Sequence, residues 1–588
     1  MRIILNFTII CFGFCGQGLL LADTKLNEIV VTSSFKEETL FDSLTSIEII
    51  TREDIESSGY STVDEILGNS SSINIGSNGG HGQTKSIFLR GTESNHTKVL
   101  INGVTLNPGT LGVASIQHMS ADIIERIEIS KGSMSTLFGR DTIGGVINIV
   151  TRNKDLSNII LGTGKDDTNK IGINKSFIFG LHSLSINYMK IITDGYKAKV
   201  ASTKNHGYEN QNINLDYKYN YSKNSIGFNI YQSDGNTEYD SFGSNLNQDH
   251  KDYHAKLSWS REYNNSNTKI IFIDKKNKIN QKGVSATDYT HTNNNIVTIE
   301  KNFYDLYGAN TLIGATYTDE ALYELSYGTT FRKSNEIREI YSQAEYSIGD
   351  MLMNFGGRHI NHSLYGDFLT GNVNIGKPIN RNMKIILGIG KSFRSPDGTD
   401  LFGYNGNADL EPEESVTKEI SLKYKINNRS GLVTTYFNTS ISNLIESDGS
   451  KMRNINESKI HGIELSYSGE LDKINYSLDY TYLKADDLTN NVKLSRRPEN
   501  KLVGKIQYDV NTNNMITGSF TSLSKSDNSI YDAHVLGGHT IINLAYLYDD
   551  KQNIIQFKMN NIFDKKYRKA HNYNSEGKSY YLTWSRAF

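Results

Sequence analysis

Hydrophobic and polar side chains alternate along the C-terminal segment of the chain, residues 578–588. Tyr580, Leu582 and Trp584 share one face of a strand that ends in the aromatic Phe588, while the opposite face is largely polar. Such a strand suits lipid on one side and a wet lumen on the other. We interpret it as the closing strand of an outer-membrane β-barrel. An edge strand of a soluble sheet is the alternative that this strand alone leaves open.

The same period of two recurs from about residue 155 onward. Its apolar positions include Leu184, Ile186 and Tyr188; Ile213, Leu215, Tyr217 and Tyr219; Ile463, Leu465 and Tyr467; and Tyr476, Leu478, Tyr480 and Tyr482. The last two groups are separated by a short turn and predict a hairpin. The intervening Asn, Asp and Glu would need partners in a dry core, but in a wide barrel they face water. At roughly 20 residues per strand and connection, residues 155–588 predict about 22 strands, enough to hold a plug in the lumen.

Residues 33–154 have a different pattern. Helical spacing and capping-type residues over 54–67 are followed by short β-prone runs at 87–90, 98–101 and 127–129. These runs predict a small α+β domain. Its glycine-rich turns do not form a phosphate-binding loop, because none has the GxGxxG or GK[ST] pattern between a strand and a helix.

The N-terminus predicts export. Arg2 precedes an apolar run, and residues 1–22 have the form of a secretory signal, with cleavage expected within a few residues of Ala22. Both cysteines, Cys11 and Cys15, lie inside this segment. The mature chain is therefore expected to have no disulfide, thiolate metal site or cysteine nucleophile.

Composition fits a barrel. Among 588 residues there are 35 Tyr and 50 Gly but only 5 Pro, as expected for aromatic belts and tight turns without long linkers. The mean hydropathy is −0.47, and no later stretch is long and apolar enough for a helical membrane span. A net charge of −2 gives no reason to expect nucleic acid. No catalytic constellation stands out, so we expect no enzymatic activity.

A series of motifs resembles the TonB-dependent outer-membrane receptors. The N-terminal motifs are EIVVT at 28–32, FLRG at 88–91, VLINGV at 99–104, IERIEISKG at 124–132 and LFGRDTIGGVINIVT at 137–151. The barrel adds FRSP at 393–396, GNADLEPEES at 406–415, RRP at 496–498 and NIFDKKY at 561–567. Two departures from the family pattern, Lys131 and Ser133, concern one plug turn.

This resemblance implies an all-β membrane protein of the Gram-negative outer membrane, with a barrel of about 22 antiparallel transmembrane strands around a small α+β plug. The implied divisions are a signal peptide (1–22), a periplasmic segment with a TonB box (23–32), the plug (33–154) and the barrel (155–588). The TonB box would be Glu28, Ile29, Val30, Val31 and Thr32. It would add as an edge strand to TonB, itself energised by ExbB–ExbD. The alternative for these five residues is a plain first strand of the plug.

Three stretches, 78–91, 231–243 and 401–410, most resemble the cobalamin (vitamin B12) receptors of this family. The resemblance implies TonB-dependent active transport of cobalamin by a protein embedded in outer-membrane lipid, which we expect to be a monomer without a cofactor. The implied ligand-binding residues are Thr84, Ser86, Leu111, Gly112, Ser241, Thr287 and Arg496. Hydroxyl and backbone groups suit corrin amides, and Arg496 suits a phosphate. The alternatives are ordinary solvated loop residues, and a structural pair of Arg496 with Arg497. Glu93 matches a further position, where a carboxylate is less expected.

Cobalamin receptors of this kind bind calcium in their early loops, and here the resemblance is incomplete. Tyr239, Asp240 and Asp249 remain on the second loop. The first loop places Lys197, Ser202, Lys204 and His206 where acidic ligands are expected. We therefore expect only a remnant of the site, with no bound metal. The two lysine ammonium groups are expected to take the place of the cation.

Two further functions remain open. A siderophore or haem receptor of the same family is one, and His81 at a plug apex fits haem, although residues 393–410 contain no second histidine. A passive porin-like channel is the other, but it has no use for a plug or a TonB box.

Overall fold

A computed structural model describes residues 29–30, 38–153, 157–241, 243–283, 287–529 and 532–588. The predicted signal peptide therefore lies outside the described residues, as do Glu28, Val31 and Thr32 of the predicted TonB box. Ile29 and Val30 are described by their backbone, and they pair antiparallel with Thr39 and Glu38.

Residues 38–153 form a small α/β unit inside the barrel, which we call the plug. The first strands of the chain are β1 (Ile29–Val30), β2 (Glu38–Thr39), β3 (Ser46–Ile50), β4 (Ile73–Ser77), β5 (Lys85–Leu89), β6 (Thr97–Ile101), β7 (Val104–Thr105), β8 (Ile124–Lys131) and β9 (Gly145–Thr151). The plug helices are α1 (Arg52–Ser58), α2 (Val63–Gly68) and α3 (Ser135–Phe138), with 3₁₀ turns at Ser94–His96, Ile116–His118 and Ala121–Ile123. Five strands form a sheet in the order β3-β8-β9-β6-β7, and β4 and β5 form a separate hairpin. Buried Ile, Leu and Val side chains from both sheets and helices make one core.

The predicted β runs of the plug are confirmed, but the helical stretch 54–67 is two helices. Thr51 caps α1 in a capping box with Asp54. Gly59 then ends the helix in the left-handed region, with φ 64° and ψ 30°. Glycine adopts this conformation at little cost, and a short segment leads to α2. The periodic apolar positions continue across the break, which explains why the pattern suggested a single helix.

Twenty-two strands close the barrel around the plug, as the sequence predicted. They are β10 (Ser157–Gly164), β11 (Thr168–Phe179), β12 (His182–Thr193), β13 (Tyr208–Tyr221), β14 (Asn224–Ser241), β15 (Ser244–Glu262), β16 (Ser266–Lys282), β17 (Thr287–Leu306), β18 (Ala309–Ser326), β19 (Thr329–Ile348), β20 (Met351–His362), β21 (Gly366–Asn380), β22 (Met383–Arg394), β23 (Glu413–Asn427), β24 (Ser430–Ser447), β25 (Met452–Leu471), β26 (Ile474–Asp487), β28 (Asn500–Asn511), β29 (Asn514–Leu523), β32 (His539–Asp549), β33 (Asn553–Asn560) and β34 (Ser579–Ala587). Three short strands, β27 (Val492–Lys493), β30 (Ser526–Ser529) and β31 (Asp532–Leu536), and helix α4 (Gly398–Phe402) lie in or beside the connections.

The closing strand has the two faces that its sequence predicted. Tyr580 and Leu582 are exposed on the outside of β34, whereas Tyr581, Thr583 and Ser585 are buried against the lumen. β34 pairs antiparallel with β10 and so completes the cylinder without a free edge. The predicted hairpin is confirmed as β25 and β26.

Connection lengths identify the two ends of the barrel. The turns at 180–181, 222–223, 307–308 and 349–350 are two residues long, and alternate connections such as 395–412 and 561–578 are much longer. Outer-membrane barrels have short periplasmic turns and long extracellular loops. The long connections therefore mark the outward end. Among the described residues, no helix is long and apolar enough to cross a membrane.

Candidate ligand site and plug contacts

The hairpin of β4 and β5 carries two of the predicted ligand residues towards the outward end. Thr84 is exposed and Ser86 is half-buried. The tip of this hairpin touches the outward part of β14, because Gln83 Nε2 donates to the carbonyl oxygen of Glu238 at 2.6 Å. Thr84 is next to Gln83 at this tip, and its side chain is exposed.

Leu111 and Gly112 lie on a second plug loop. Gly112 has φ +68°, and its N–H donates to the carbonyl oxygen of Pro108 at 2.8 Å. The barrel holds this loop from two sides. The N–H of Thr110 donates to Thr292 Oγ1 of β17 at 3.1 Å. The N–H of Gly398, at the start of α4, donates to the carbonyl oxygen of Gly109. A Cβ at position 112 would stand 2.9 Å from an oxygen of Asp397. The close approach and the positive φ both favour glycine there.

Arg496 lies where an outer loop meets the first hairpin of the plug. Its carbonyl oxygen accepts a hydrogen bond from Asn74 Nδ2 of β4 at 2.8 Å. Its Nε donates to the carbonyl oxygen of Asn528 at 3.2 Å. The Arg496 backbone is in the left-handed region, with φ 61°. Arg496 is thus fixed between plug and loop next to the hairpin of Ser86.

The last two predicted residues lie at strand ends on the outward rim. Ser241 is the last residue of β14 and pairs with Ser244, and Thr287 is the first residue of β17 and pairs with Lys282. The predicted residues therefore lie in three separate parts of the outward half of the molecule: the first hairpin with Arg496, the 111–112 loop, and the rim.

Arg497 has a structural role that the sequence left open. Its Nε donates to the carbonyl oxygen of Gly91 at 3.0 Å, and its guanidinium is paired with Glu93 and lies 4.4 Å from the centroid of the Phe88 ring. These partners belong to the plug. Arg497 therefore holds the plug, and Glu93 is engaged by it.

Buried charges join plug and barrel at two further places. His96 of the plug is hydrogen-bonded to Glu413 of β23, which also accepts from Arg394 Nε at 2.9 Å. Arg394 Nη1 also donates to a carboxylate oxygen of Asp400 in α4 at 3.0 Å. The second place is an ion cluster in which Arg90 of the plug binds two barrel carboxylates. Each such pair would be costly to separate in a dry environment.

A cavity of about 350 Å³ separates the plug from the wall formed by β16 to β19. It extends from Gly112 and Asp397 at its outer end to Lys269 and Glu300 deeper in the lumen. Lys98 of the plug also lines it, and burial lowers the pKa of this ammonium to about 8. Charges of both signs line the cavity, which makes it suitable for a polar solute.

Two histidines stack where the plug meets the wall on another side. The ring centroids of His118, in the plug, and His250, on β15, are 3.4 Å apart with an interplanar angle of 7°. Burial, together with the neighbouring His250, lowers the pKa of His118 well below its usual value. His118 is therefore neutral at physiological pH, and its Nδ1 is hydrogen-bonded to the hydroxyl of Tyr208 at 3.2 Å.

The two aspartates predicted to be the remnant of a calcium site each have a side-chain partner. Asp240 accepts from Ser202 Oγ at 2.8 Å and is paired with Lys199 at 3.4 Å, while Asp249 is paired with Lys282 at 2.9 Å. Within the described residues, no cluster of three or more His, Cys, Asp or Glu side chains has the arrangement of a metal site. Tyr239 is half-buried beside Asp240.

The lysines at the calcium remnant differ from those that the sequence suggested. We expected Lys197 and Lys204 to replace the cation, but Lys199 and Lys282 form the ion pairs. Lys204 is exposed, and the carbonyl oxygen of Lys197 accepts a hydrogen bond from Asn574 at 2.8 Å. Lys199 is two positions from Lys197 in the same loop, whereas Lys282 is on the neighbouring strand β16, where it pairs across from the Asp249 strand.

The periplasmic side of the plug is attached to the barrel close to β2. Lys384 Nζ donates to the carbonyl oxygen of Asp42 at 2.7 Å, and Lys423 Nζ donates to that of Ser43 at 2.8 Å. Since β2 pairs with β1, the backbone of Ile29 and Val30 is connected to this attachment through one short two-stranded ladder.

The sequence reading missed the residues that bind the plug to the wall. Arg90, Arg394 and Glu413 all lie in recognised motifs, but their roles depend on partners that no local spacing reveals. Arg90 and Glu464, for example, are 374 positions apart. A charged residue at a barrel-strand position marks Arg394 and Glu413, whereas Arg90 follows β5 in the plug.

Two family models match the chain. One is described as the TonB-dependent Receptor Plug Domain and matches residues 39–146. The other is described as TonB dependent receptor-like, beta-barrel and matches residues 186–562. Together they cover the plug and most of the barrel.

The individual relatives have low sequence identity to this chain. The Vitamin B12 transporter BtuB of Photobacterium profundum is 26% identical over 595 residues, covering 96% of this chain and 96% of that protein. Among solved structures, the siderophore receptor PirA of Acinetobacter baumannii has a TM-score of 0.81 at 16% identity, covering 92% of this chain and 98% of that one. A mutant of the ferric enterobactin receptor PfeA of Pseudomonas aeruginosa, in complex with enterobactin, has a TM-score of 0.82 at 16% identity, covering 92% and 99%. At these identities the two structures establish the shared fold alone.

Proposed function

Because the chain belongs to the family of TonB-dependent receptors, which are β-barrel transport proteins of the Gram-negative outer membrane, we propose that it imports a corrinoid of the cobalamin class. Thr84, Ser86, Leu111, Gly112, Ser241, Thr287 and Arg496 are the proposed ligand contacts. ExbB–ExbD is the proposed energy source behind TonB, and the proposed working unit is a monomer.

The position of Arg496 is the observation that best supports this proposal. Its carbonyl oxygen accepts a hydrogen bond from Asn74 of the plug, and its side-chain Nε donates to the carbonyl oxygen of Asn528 in the outer loop. Arg496 contacts the hairpin that carries Thr84 and Ser86, and a guanidinium together with hydroxyl groups suits a ligand that combines one phosphate with many amides. The full-length similarity to a Vitamin B12 transporter points to the same class. The siderophore receptors named above share the fold, so a ferric siderophore or haem is the alternative cargo.

The proposed transport cycle begins with ligand on the outward face of the plug. TonB would then bind the segment containing Ile29 and Val30 by strand addition. Force on this segment would pass through β2 to the carbonyl groups that Lys384 and Lys423 hold, and from there to the plug. The cavity along β16 to β19 gives a polar route that a modest movement of the plug would enlarge. The protein would contribute binding and positioning, with no covalent step.

Growth on limiting cobalamin tests the proposal. The chain would be expressed in a bacterium that lacks its own corrinoid receptor, with and without a functional TonB. Growth restored only with TonB supports the proposal. Growth restored on haem or a ferric siderophore, and not on cobalamin, would replace the proposed cargo. Uptake that persists without TonB would favour a passive channel.

A further inference from the structure

Two lysines lie opposite each other on the exterior of the barrel. Lys251 of β15 pairs in register with Lys278 of β16, and both side chains are exposed. Every second residue of a strand faces the same way. Lys251 therefore shares the exterior face of β15 with the exposed Leu257, and Lys278 shares that of β16 with the exposed Phe272. Both ammonium groups are on the side of the wall that faces lipid.

The two lysines begin a row of basic and aromatic side chains that crosses five adjacent strands. In register with Lys278 follow His291 of β17, Tyr323 of β18 and Arg332 of β19. Arg332 is exposed, and its guanidinium lies 5.0 Å from the centroid of the Tyr323 ring. Because neighbouring strands are about 4.8 Å apart, the row from Lys251 to Arg332 is about 19 Å long.

The row begins at the outward edge of the apolar band of the barrel. β15 begins at the outward end of the barrel and β16 ends there. The apolar pair of Leu257 and Phe272 lies six residues further inward than the two lysines, which is about 20 Å along the strands. Tyr253 lies between them on β15, and tyrosine is enriched where an apolar band meets the lipid head groups. The ammonium groups are therefore at the level of the outer-leaflet head groups.

Two neighbouring aspartates already have lysine partners. Asp249, on the same face of β15, is paired with Lys282 at 2.9 Å. Asp274, on the same face of β16, is paired with Lys276 at 3.2 Å. Each of these carboxylates is neutralised by its own lysine, so neither supplies negative charge to the row.

A third aspartate faces the row from β14. Asp234 lies in register with Lys251, but its carboxylate accepts hydrogen bonds from Gln211 at 2.9 Å and from Gln232 at 2.5 Å. Within the part of the chain that the structure describes, neither Lys251 nor Lys278 forms an ion pair. Like charges directly opposite each other on adjacent strands are destabilising. An anion between the two ammonium groups would replace this repulsion by attraction.

We propose that this row binds the phosphate groups of a lipid in the outer leaflet of the outer membrane. Ammonium and guanidinium groups form short, strong hydrogen bonds with phosphate. The lysine side chains extend their charged ends to the head group while their methylene groups lie along the apolar surface.

The position of the row selects an intact lipid over a free anion. The apolar band around Leu257 and Phe272 receives the acyl chains of the same molecule, whereas an inorganic phosphate ion would use the charges alone. This surface faces the membrane and not the lumen, so its function does not depend on which cargo the protein carries.

The first arm of the test measures binding of diphosphorylated lipid A to the purified full-length protein in a neutral detergent. We expect the double variant Lys251→Gln with Lys278→Gln to bind it about tenfold more weakly, or worse. The matched control is Lys190→Gln with Lys418→Gln, because these are exterior lysines that have no lysine in register on either side. The control should bind like the native protein. Folding of each variant is checked by its heat-modifiable mobility on a gel.

The second arm separates the phosphate groups from the acyl chains. Lipid A from which both phosphates have been removed should bind the native protein no more tightly than the intact lipid binds the double variant. Millimolar inorganic phosphate should not displace the lipid, and displacement would show a site for the free ion instead. The proposal is overturned if the double variant binds like the native protein, or if the control pair loses as much affinity as the double variant.

Discussion

Arg90 in the plug and Glu464 on the barrel wall form a two-point ion pair, in which Nε and Nη2 of the guanidinium donate to the two carboxylate oxygens at 3.0 and 2.8 Å. Arg90 Nη1 also binds Glu419 at 2.6 Å, and Lys131 lies 3.6 Å from Glu464. The Arg90 side chain is only 4% exposed. The plug is therefore anchored to the wall by a buried cluster in which each charge depends on the others.

Removing Arg90 should loosen the plug. Arg90→Ala leaves two carboxylates beside one lysine, and breaking a buried pair in this way typically costs about 3–5 kcal/mol. We expect a lower thermal transition of the plug and increased sensitivity of cells to large antibiotics. Arg338→Ala is the control, because Arg338 and its partner Glu336 are both well exposed and such pairs contribute about 0–1 kcal/mol. Equal behaviour of the two variants would mean that the cluster does not hold the plug.

A proline in the proposed TonB box should separate binding from transport. Proline fixes φ and removes the backbone N–H, both of which strand addition requires. We expect Val30→Pro to abolish uptake of labelled ligand into cells while surface binding stays unchanged. Val30→Ala keeps the main-chain donor and should transport normally. Normal uptake by Val30→Pro would show that residues 28–32 do not couple transport to TonB.

Arg496 should contribute directly to ligand affinity. If its guanidinium meets a ligand phosphate, Arg496→Ala should weaken cobalamin binding by roughly 1–3 kcal/mol. Arg453→Ala is a suitable control, since Arg453 is an exposed arginine close to another outer loop and is paired with Asp448. Titration calorimetry with the purified proteins measures both. If neither Arg496→Ala nor Arg453→Ala changes the affinity for cobalamin, Arg496 does not contribute to the ligand site.

Calcium should have little effect on ligand binding. Asp240 and Asp249 are already paired with Lys199 and Lys282, so a cation would have to displace two ammonium groups. We expect affinities within about twofold with and without millimolar calcium. The double change of Lys199 and Lys282 to Ala should weaken ligand binding, and that of Lys197 and Lys204 to Ala should not. Tightening by calcium of tenfold, about 1.4 kcal/mol, would reveal a functioning metal site.

The barrel was predictable from sequence because its wall is a repeated local pattern. In β34 the alternation of Leu582 with Thr583 alone determines which face meets lipid. The plug helix was predicted less well. The apolar spacing extends across Gly59, and only the left-handed backbone of that residue ends α1.

The contacts between plug and wall were beyond the reach of sequence reasoning. Local patterns do not encode which inward-facing charge meets which plug residue, as His96 with Glu413 illustrates. The ligand residues were proposed from a resemblance, because solvated loop positions such as Ser241 and Thr287 have no local pattern that marks a binding role. The lysines beside Asp240 and Asp249 were misassigned because Lys282, the partner of Asp249, comes from the neighbouring strand β16 and not from the loop that contains Lys197 and Lys204.

Side-by-side binding of cobalamin, cobinamide, haem and a ferric siderophore to the purified full-length protein tests the proposed cargo most directly. Cobinamide retains the corrin ring but lacks the nucleotide, so it reports whether the phosphate-bearing part contributes. We expect cobalamin to bind most tightly, cobinamide to bind more weakly, and Arg496→Ala to affect cobalamin more than cobinamide. Tight binding of haem or of the siderophore, with no measurable binding of either corrinoid, would contradict it.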